Sequence, residues 1–203
     1  MLIKFTNYKY VAKIESMIQE EKKKIRLLVK ELKSKISVSE KRRESEHIFK
    51  FMEETLEFKQ AKILVLYWSM PDEVQTHAFI EKWANIKTIL LPVVNGAELD
   101  FKIYKGRDSL ILGEQFNIAE PSGEIFTDLN AIDLIIVPGI AFDKNNNRMG
   151  RGRGYYDKFL SQNKATKIGV CFNCQLFDQV PTQKHDIKMN QVIYPFKNLR
   201  LIN

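Results

Sequence analysis

Two cysteines, three histidines and nine glycines are all that this 203-residue chain holds of those residues, and each scarcity removes a class of proteins. With only Cys171 and Cys174, in Cys-Phe-Asn-Cys, there is no disulfide framework. Zinc would need two further ligands, and His47, His77 and His185 are too scattered to supply them at a recognisable spacing. The pair reads as two small apolar residues at a strand end, kept reduced. No apolar run approaches the roughly 18 to 20 residues of a membrane span. Lys4, Lys9 and Lys13 interrupt the first apolar residues before a signal peptide's hydrophobic run can form. Internal repeats and low-complexity linkers are missing too. These absences lead us to expect one domain over residues 1–203, cytoplasmic, monomeric and without a membrane partner; the length suffices to bury a core.

What is present is an ordinary globular composition with a basic bias: 44% hydrophobic residues, 28% charged, and a net charge of +7. Such a field favours anionic partners but does not separate nucleic acid from nucleotide, phosphate or polyglutamate. The charge concentrates early, with ten Lys/Arg against four acidic residues between Glu20 and Arg43. Most of these lysines read as a solvated helical face. Val11, Ile14, Met17, Ile18, Ile25, Leu28, Val29 and Leu32 recur at helical spacing and predict an amphipathic helix over residues 9–35. Ser37-Val-Ser-Glu40 has the form of a capping box, predicting a second helix that runs to Phe58. Both helices are expected to pack on the body that follows.

After Gln60 short β-rich runs alternate with helical segments. Residues 62–68, 88–94, 133–139 and 167–172 read as buried strands, 99–104 as a peripheral strand, and 74–84 and 155–162 as helices. The alternation predicts an α/β fold, a mainly parallel central sheet flanked by helices in a Rossmann-like three-layer arrangement, with the long basic N-terminal helices packed on it.

In such sheets ligands bind beyond the carboxyl ends of the strands. "RMGRGRGYYDKF", Arg148–Phe159, falls there, between a strand and a helix. Gly150, Gly152 and Gly154 allow close backbone approach to a ligand, and their amides with the following helix N-terminus suit an anion. Arg148, Arg151 and Arg153 add planar bidentate donors for phosphate oxygens. The stretch is neither a Walker A loop nor GxGxxG. Asp157, directly after it, suits magnesium beside bound phosphates. By themselves Asp186 reads as a turn residue, His185 as bland and Trp68 as core. A non-enzymatic RNA-binding module using the Arg-Gly segment and the basic helices is the alternative. A sugar-phosphate or CoA-handling enzyme is a third, with Glu73 its only attractive acid.

"PGIAFDKNNNRMGRGRGYYDKFL" resembles the 5-formyltetrahydrofolate cyclo-ligases, or methenyltetrahydrofolate synthetases, whose pattern is approximately PG-x-x-F-D-x-x-G-x-R-L-G-x-G-x-G-Y-Y-D. "KKKIR" (22–26), "YWSMPDEVQT" (67–76) and "VPTQKHDIKMNQVIY" (180–194) extend the resemblance over most of the chain. It implies ATP-dependent closure of 5-formyltetrahydrofolate, with or without a polyglutamate tail, to 5,10-methenyltetrahydrofolate, with ATP as co-substrate and Mg2+ as cofactor. The formyl oxygen takes the γ-phosphoryl group, N10 attacks the activated carbon, and phosphate leaves. That chemistry needs positioning and charge stabilisation rather than a nucleophilic side chain.

By resemblance, Lys22 and Arg26 match a pair that touches ATP phosphates, and their spacing of four places both on one helical face. Arg148, Gly150, Arg151, Gly152, Arg153, Gly154, Tyr155 and Tyr156 match the ATP loop, with Arg151, Arg153 and Tyr155 nearest the transferring group and the folate. Glu73 matches an acid that hydrogen-bonds the pterin, and Trp68 an apolar folate contact. Asp157 and Asp186 match magnesium-binding acids, so the resemblance reverses the bland reading of Asp186. The chain departs from the pattern at three places. Asn146 replaces the glycine of the DKNNN turn, with Asn147 at its last position, and Asn can also adopt a left-handed backbone. Asn190 stands where many members carry a second aspartate, so metal coordination there rests more heavily on Asp186. Residues 1–20 extend beyond the usual start.

Overall fold

The computed structural model describes residues 2–113 and 118–195, with side chains from residue 12 onward. Helices α1 (Leu2–Ser34), α2 (Val38–Glu54) and α3 (Leu56–Gln60) precede strand β1 (Ile63–Val65). A loop and α4 (His77–Trp83) lead to β2 (Thr88–Asn95) and β3 (Glu98–Ile103), followed by the hairpin of β4 (Leu110–Leu112) and β5 (Ala119–Pro121). After β6 (Leu134–Val137) come the short β7 (Ala141–Asp143) and β8 (Arg148–Met149), then α5 (Tyr155–Gln162), β9 (Thr166–Val170), β10 (Leu176–Phe177) and β11 (Gln191–Ile193).

Six strands form the central sheet in the order β11-β9-β6-β1-β2-β3. Every pairing is parallel except β2 with β3. That exception follows from the turn: Asn95 pairs directly with Glu98, and Gly96 supplies the left-handed φ of 59° that so tight a hairpin requires. The expected peripheral strand is therefore an antiparallel edge strand. Strand residues alternate between two cores. Leu64, Ile89, Leu91, Leu134, Ile136 and Ile168 pack with Ile48, Phe49 and Met52 of α2, Phe58 of α3 and Phe79 and Ile80 of α4. Val65, Leu90, Ile135 and Val137 pack on the opposite face with Phe159 and Leu160 of α5. Helices thus cover both faces of a mainly parallel sheet, as the sequence predicts.

Element ends differ from expectation where hydroxyls intervene. Ser37 caps α2, accepting from Glu40 N at 3.1 Å. The helix stops at Glu54 rather than reaching Phe58, because Thr55 is extended and its hydroxyl accepts from Phe58 N at 3.2 Å, starting α3. Likewise α4 starts at His77, not at residue 74. Thr76 Oγ1 donates to Tyr67 O at 2.6 Å and accepts from Ser69 N at 3.2 Å, binding residues 67–76 into a closed loop.

Helix α1 corrects a broader expectation. Its apolar spacing predicts burial of the whole stripe, yet Ile14, Met17 and Leu28 are exposed, and the Val11 side chain lies outside the described residues. The body meets only part of the stripe, on the side where Val29 packs with Ile140, Ala141, Met149 and Val180 and the partly buried Ile25 joins them. That side also buries Lys22 and Lys33, two of the lysines expected on a solvated face. Val29 thereby fastens α1 to a second small sheet, β10-β7-β8. Phe142 of this sheet fills the space between Gly139 and Gly169, where an added Cβ would come within 2.5 and 2.4 Å of its ring. Among the described residues, no helix is long and apolar enough to cross a membrane.

Candidate active site

From β1 the chain moves to β2 on one side and later to β6 on the other, so the strand order reverses between β1 and β6. Crevices form at the carboxyl ends of strands at such a point. Here a pocket of about 400 Å³ opens, with Tyr67 and Trp68 following β1, Pro138 and Gly139 following β6, and the whole stretch 148–157 on its wall.

Helix α1 contributes Lys22 and Arg26 to the pocket. The Lys22 ammonium donates to Asp186 Oδ2 at 2.5 Å and to Gln183 Oε1 at 3.3 Å. Arg26 Nε donates to Gly150 O at 3.1 Å. Its guanidinium lies behind Gly152, where a Cβ would stand 3.2 Å from Nη2 and where φ is +97°. Gly154, with φ of +75°, turns the chain into α5. Both positions need a left-handed backbone, and at Gly152 the close cation adds a second reason for lacking a side chain.

The three arginines of this loop differ in their surroundings. Arg148 is buried, its Nη2 lies 3.0 Å from Asp157 Oδ2, and its Nη1 donates to Pro138 O at 3.1 Å. Arg151 Nη2 reaches Glu73 Oε1 at 3.0 Å and Asp72 Oδ1 at 3.3 Å. Burial disfavours its charge, but Glu73 and then Asp72 outweigh that and raise the Arg151 pKa. Arg153 is exposed and makes no ion pair among the described residues. Tyr155 Oη donates to Gly96 O at 3.4 Å. Tyr156 turns inward: burial, then nearby Glu73, pushes its phenol well above the usual range. Its hydroxyl finds no hydrogen-bond partner among the described residues, so it reaches the pocket as a neutral group with a donor unspent.

Across the pocket Glu73 is mostly buried, and its Oε2 accepts from Met70 N at 3.1 Å. Trp68 lines the pocket while its indole stacks on His77 at 3.9 Å between ring centroids. The core reading and the pocket reading of Trp68 thus describe two parts of one side chain. The structure brings all the sequence-predicted site residues to the border of this single pocket.

Asp157 and Asp186 supply hard oxygen donors to the same cavity. They are linked through the chain, since Asp157 Oδ1 accepts from Ile187 N at 3.3 Å. Among the described residues no three or more His, Cys, Asp or Glu side chains gather to hold a metal unaided. Two carboxylates that need phosphate oxygens to complete the coordination shell fit Mg2+ bound with a nucleotide. Asn190 has a different use: its Oδ1 accepts from Lys167 N and its N donates to Lys167 O, both at 2.8 Å, tying the start of β11 to β9. Asn146 does adopt the left-handed backbone, with φ of 63°. Burial pushes the Cys171 and Cys174 thiols up, in keeping with packing rather than reactivity.

Comparison with known proteins decides the family. The model of the 5-formyltetrahydrofolate cyclo-ligase family matches residues 18–195. The chain belongs to that family. The 5-formyltetrahydrofolate cyclo-ligase of Haemophilus influenzae is 27% identical over 87% of this chain and 99% of its own length. That of Escherichia coli is 31% identical over 68% of this chain and 80% of its own. The solved structure of Aquifex aeolicus 5,10-methenyltetrahydrofolate synthetase superposes with a TM-score of 0.77 at 32% identity, covering 85% of this chain and 88% of that one. The family match begins at residue 18, so most of the first twenty residues lie before it.

Sequence reading passed over three residues at this cyclo-ligase site. Asp72 accepts from Arg151 and from Lys33. Lys33, eleven residues beyond Lys22 on α1, is buried against it. Gln183 accepts from Lys22 and Gln19. The only sequence signal was the 11-residue spacing of Lys22 and Lys33, three turns that return to one face of a helix.

Proposed function

We propose that this ligase closes 5-formyltetrahydrofolate to 5,10-methenyltetrahydrofolate in an ATP- and Mg2+-dependent reaction that releases ADP and phosphate. One observation carries the reading: a single pocket at the reversal of strand order joins a cationic wall, Lys22, Arg26 and the glycine loop, to a wall bearing Glu73 and Trp68. The cationic wall matches a triphosphate, and the other matches a flat ring with N–H donors. In this reading Lys22, Arg26 and the amides of Gly150, Gly152 and Gly154 hold the phosphates. Tyr155 and Tyr156 border both ligands. Glu73 accepts hydrogen bonds from the pterin, and Trp68, fixed by His77, packs against the folate.

The formyl oxygen attacks the γ-phosphorus as ADP leaves; N10 then adds to the activated carbon and gives up its proton to solvent or to the departing phosphate, and the C–O bond breaks to release phosphate. Arg151 and Arg153 stabilise the charge that develops on the phosphoryl oxygens. Asp157 and Asp186 would hold Mg2+, which supplies charge neutralisation to the phosphates when bound. A glutamate tail would meet the basic surface of α1. Cytoplasmic, monomeric operation without nucleic acid belongs to the same reading.

The test is the appearance of the methenyl product's absorbance with purified protein, ATP, Mg2+ and 5-formyltetrahydrofolate. No signal from folded protein would sink the assignment. If RNA protects the protein thermally while ATP with Mg2+ does not, the RNA-binding alternative replaces it.

A further inference from the structure

Both carboxylate oxygens of Glu73 are in use: Oε2 accepts from Met70 N at 3.1 Å and Oε1 from Arg151 at 3.0 Å. A ring that brings paired N–H donors to Glu73 therefore competes with the guanidinium at Oε1. The Arg151 side chain is 47% exposed, so without another acceptor it would turn out to water. The same Nη2 lies 3.3 Å from Asp72 Oδ1. Asp72 is outside the pocket wall and is fixed from its far side, where Lys33 Nζ donates to Asp72 Oδ2 at 2.6 Å and to its backbone O at 2.8 Å. Lys33 is buried and makes no other ion pair among the described residues. Asp72 itself is 46% exposed; a buried ammonium without its anion is costly, so Lys33 holds this carboxylate in place while its other oxygen faces the pocket arginine.

We propose that Asp72, anchored by Lys33, is a positioning residue that retains Arg151 at the pocket when the folate ring takes Glu73. The inference rests on the folate reading above. In the free protein Arg151 is shared by two carboxylates. Once the ring occupies Glu73, the guanidinium keeps one acid and has donors left for the phosphoryl oxygens. Occupation of Glu73 and release of those donors are then one event. Lys33 stands on the same helix as Lys22 and Arg26, so α1 sets the place of Arg151 relative to the phosphate cations.

A double-mutant cycle of Asp72→Asn and Arg151→Ala tests this, with kcat and the folate KM read from product absorbance and folding checked by thermal melts. Asp72→Asn should lower kcat about ten-fold with the folate KM within about two-fold, the pattern of an interaction used after binding. Added to Arg151→Ala, it should cost nothing more, since its effect passes through that side chain. Additive losses, or a raised KM at unchanged kcat, would overturn the proposal. If Asp72→Asn does not fold, Asp72→Glu, which keeps the charge for Lys33 but displaces it by a methylene, enters the same cycle with the same criterion. Wild-type protein without turnover would sink the functional reading and this inference with it. Turnover with an additive cycle sinks only the role of Asp72.

Discussion

Arg148 Nη2 lies 3.0 Å from Asp157 Oδ2, in a pair whose side chains are 3% and 16% exposed. The first arginine of the glycine loop thus braces the helix that follows it, and the brace includes a bond to Pro138 O and a guanidinium 5.6 Å from the Tyr156 ring centre. Removing one partner of a buried pair leaves the other charge uncompensated, at about 3–5 kcal/mol. Arg148→Met should therefore lower unfolding free energy by roughly that amount in urea titrations. Arg148→Lys should recover only part, because an ammonium cannot reproduce the planar fork.

Arg153 offers the opposite case. Its side chain is exposed, and with no ion pair among the described residues it contributes little to the fold. Arg153→Ala should leave stability within about 0.5 kcal/mol, yet reduce turnover on the order of 10²–10³-fold if it meets the transferring phosphoryl group. Melting curves and product absorbance on the same preparation separate the two quantities. Near-normal turnover would place Arg153 outside the chemistry.

These two arginines mark how far the sequence was readable. Strand-loop-helix punctuation located the glycine loop, and the predicted helix over 155–162 coincides with α5. Apolar runs in buried parallel strands are long enough to be unambiguous, so β1, β2, β6 and β9 emerged near their places. Partner choice was not readable. Arg148 and Arg153 are the same residue type five positions apart, and only the fold decides which is buried. Lys33 looked like its solvated neighbours because its acid, Asp72, is 39 residues away. Asp186 reads as a turn residue until Lys22, 164 residues earlier, is beside it. Helix ends failed where Thr55 and Thr76 compete for backbone groups, a local effect that apolar spacing does not register.

The DKNNN turn has a testable pH signature. Burial would raise the pKa of Asp143, but bonds from the Asn147 side chain and from the amides of Val180, Asn147 and Asn145 outweigh it and hold the carboxyl below 3.8. A depressed folded pKa gives stability that is present above the unfolded value and lost as pH falls through the folded one. Asp143→Ala should thus destabilise at neutral pH, by about 1–3 kcal/mol for each buried donor left unpaired. The gap from wild type, measured by urea unfolding, should narrow as pH drops below 3.8. A constant gap would mean that the ionised form is not what the turn uses.

Asn146 permits a sharper comparison. Its φ of 63° is left-handed, and its Nδ2 contact to Asn190 O is long, at 3.3 Å. Asn146→Gly should stay close to wild type, while Asn146→Ala should lose about 1–2 kcal/mol because the Cβ meets the following carbonyl without a polar side chain to compensate. Equal unfolding midpoints for the two variants would show that the backbone relaxes out of the left-handed region.

The metal prediction follows from the charge pairs already in the pocket. Asp186 is paired with Lys22 and Asp157 with Arg148, so both acids proposed for Mg2+ hold cations in the free protein. Mg2+ alone would have to displace Lys22 and leave a buried ammonium without an anion, which is costly. Polyphosphate removes that obstacle, because Lys22 can pass from Asp186 to a phosphate oxygen as the ion takes the carboxylate. Calorimetry should accordingly show negligible binding of Mg2+ alone, and binding of ATP with Mg2+ well above that of ATP with chelator. Lys22→Met should reverse part of this order: it leaves Asp186 without its cation, so Mn2+ added without nucleotide should now bind detectably by electron paramagnetic resonance. Asp157→Asn should raise the Mg2+ concentration needed for half-maximal turnover on the order of ten-fold or more, the scale of disturbing a metal's surroundings. Strong binding of Mg2+ to the nucleotide-free wild type would show that Lys22 and Arg148 do not guard these acids, and an unchanged Mg2+ dependence in Asp157→Asn would remove that residue from the ligand set.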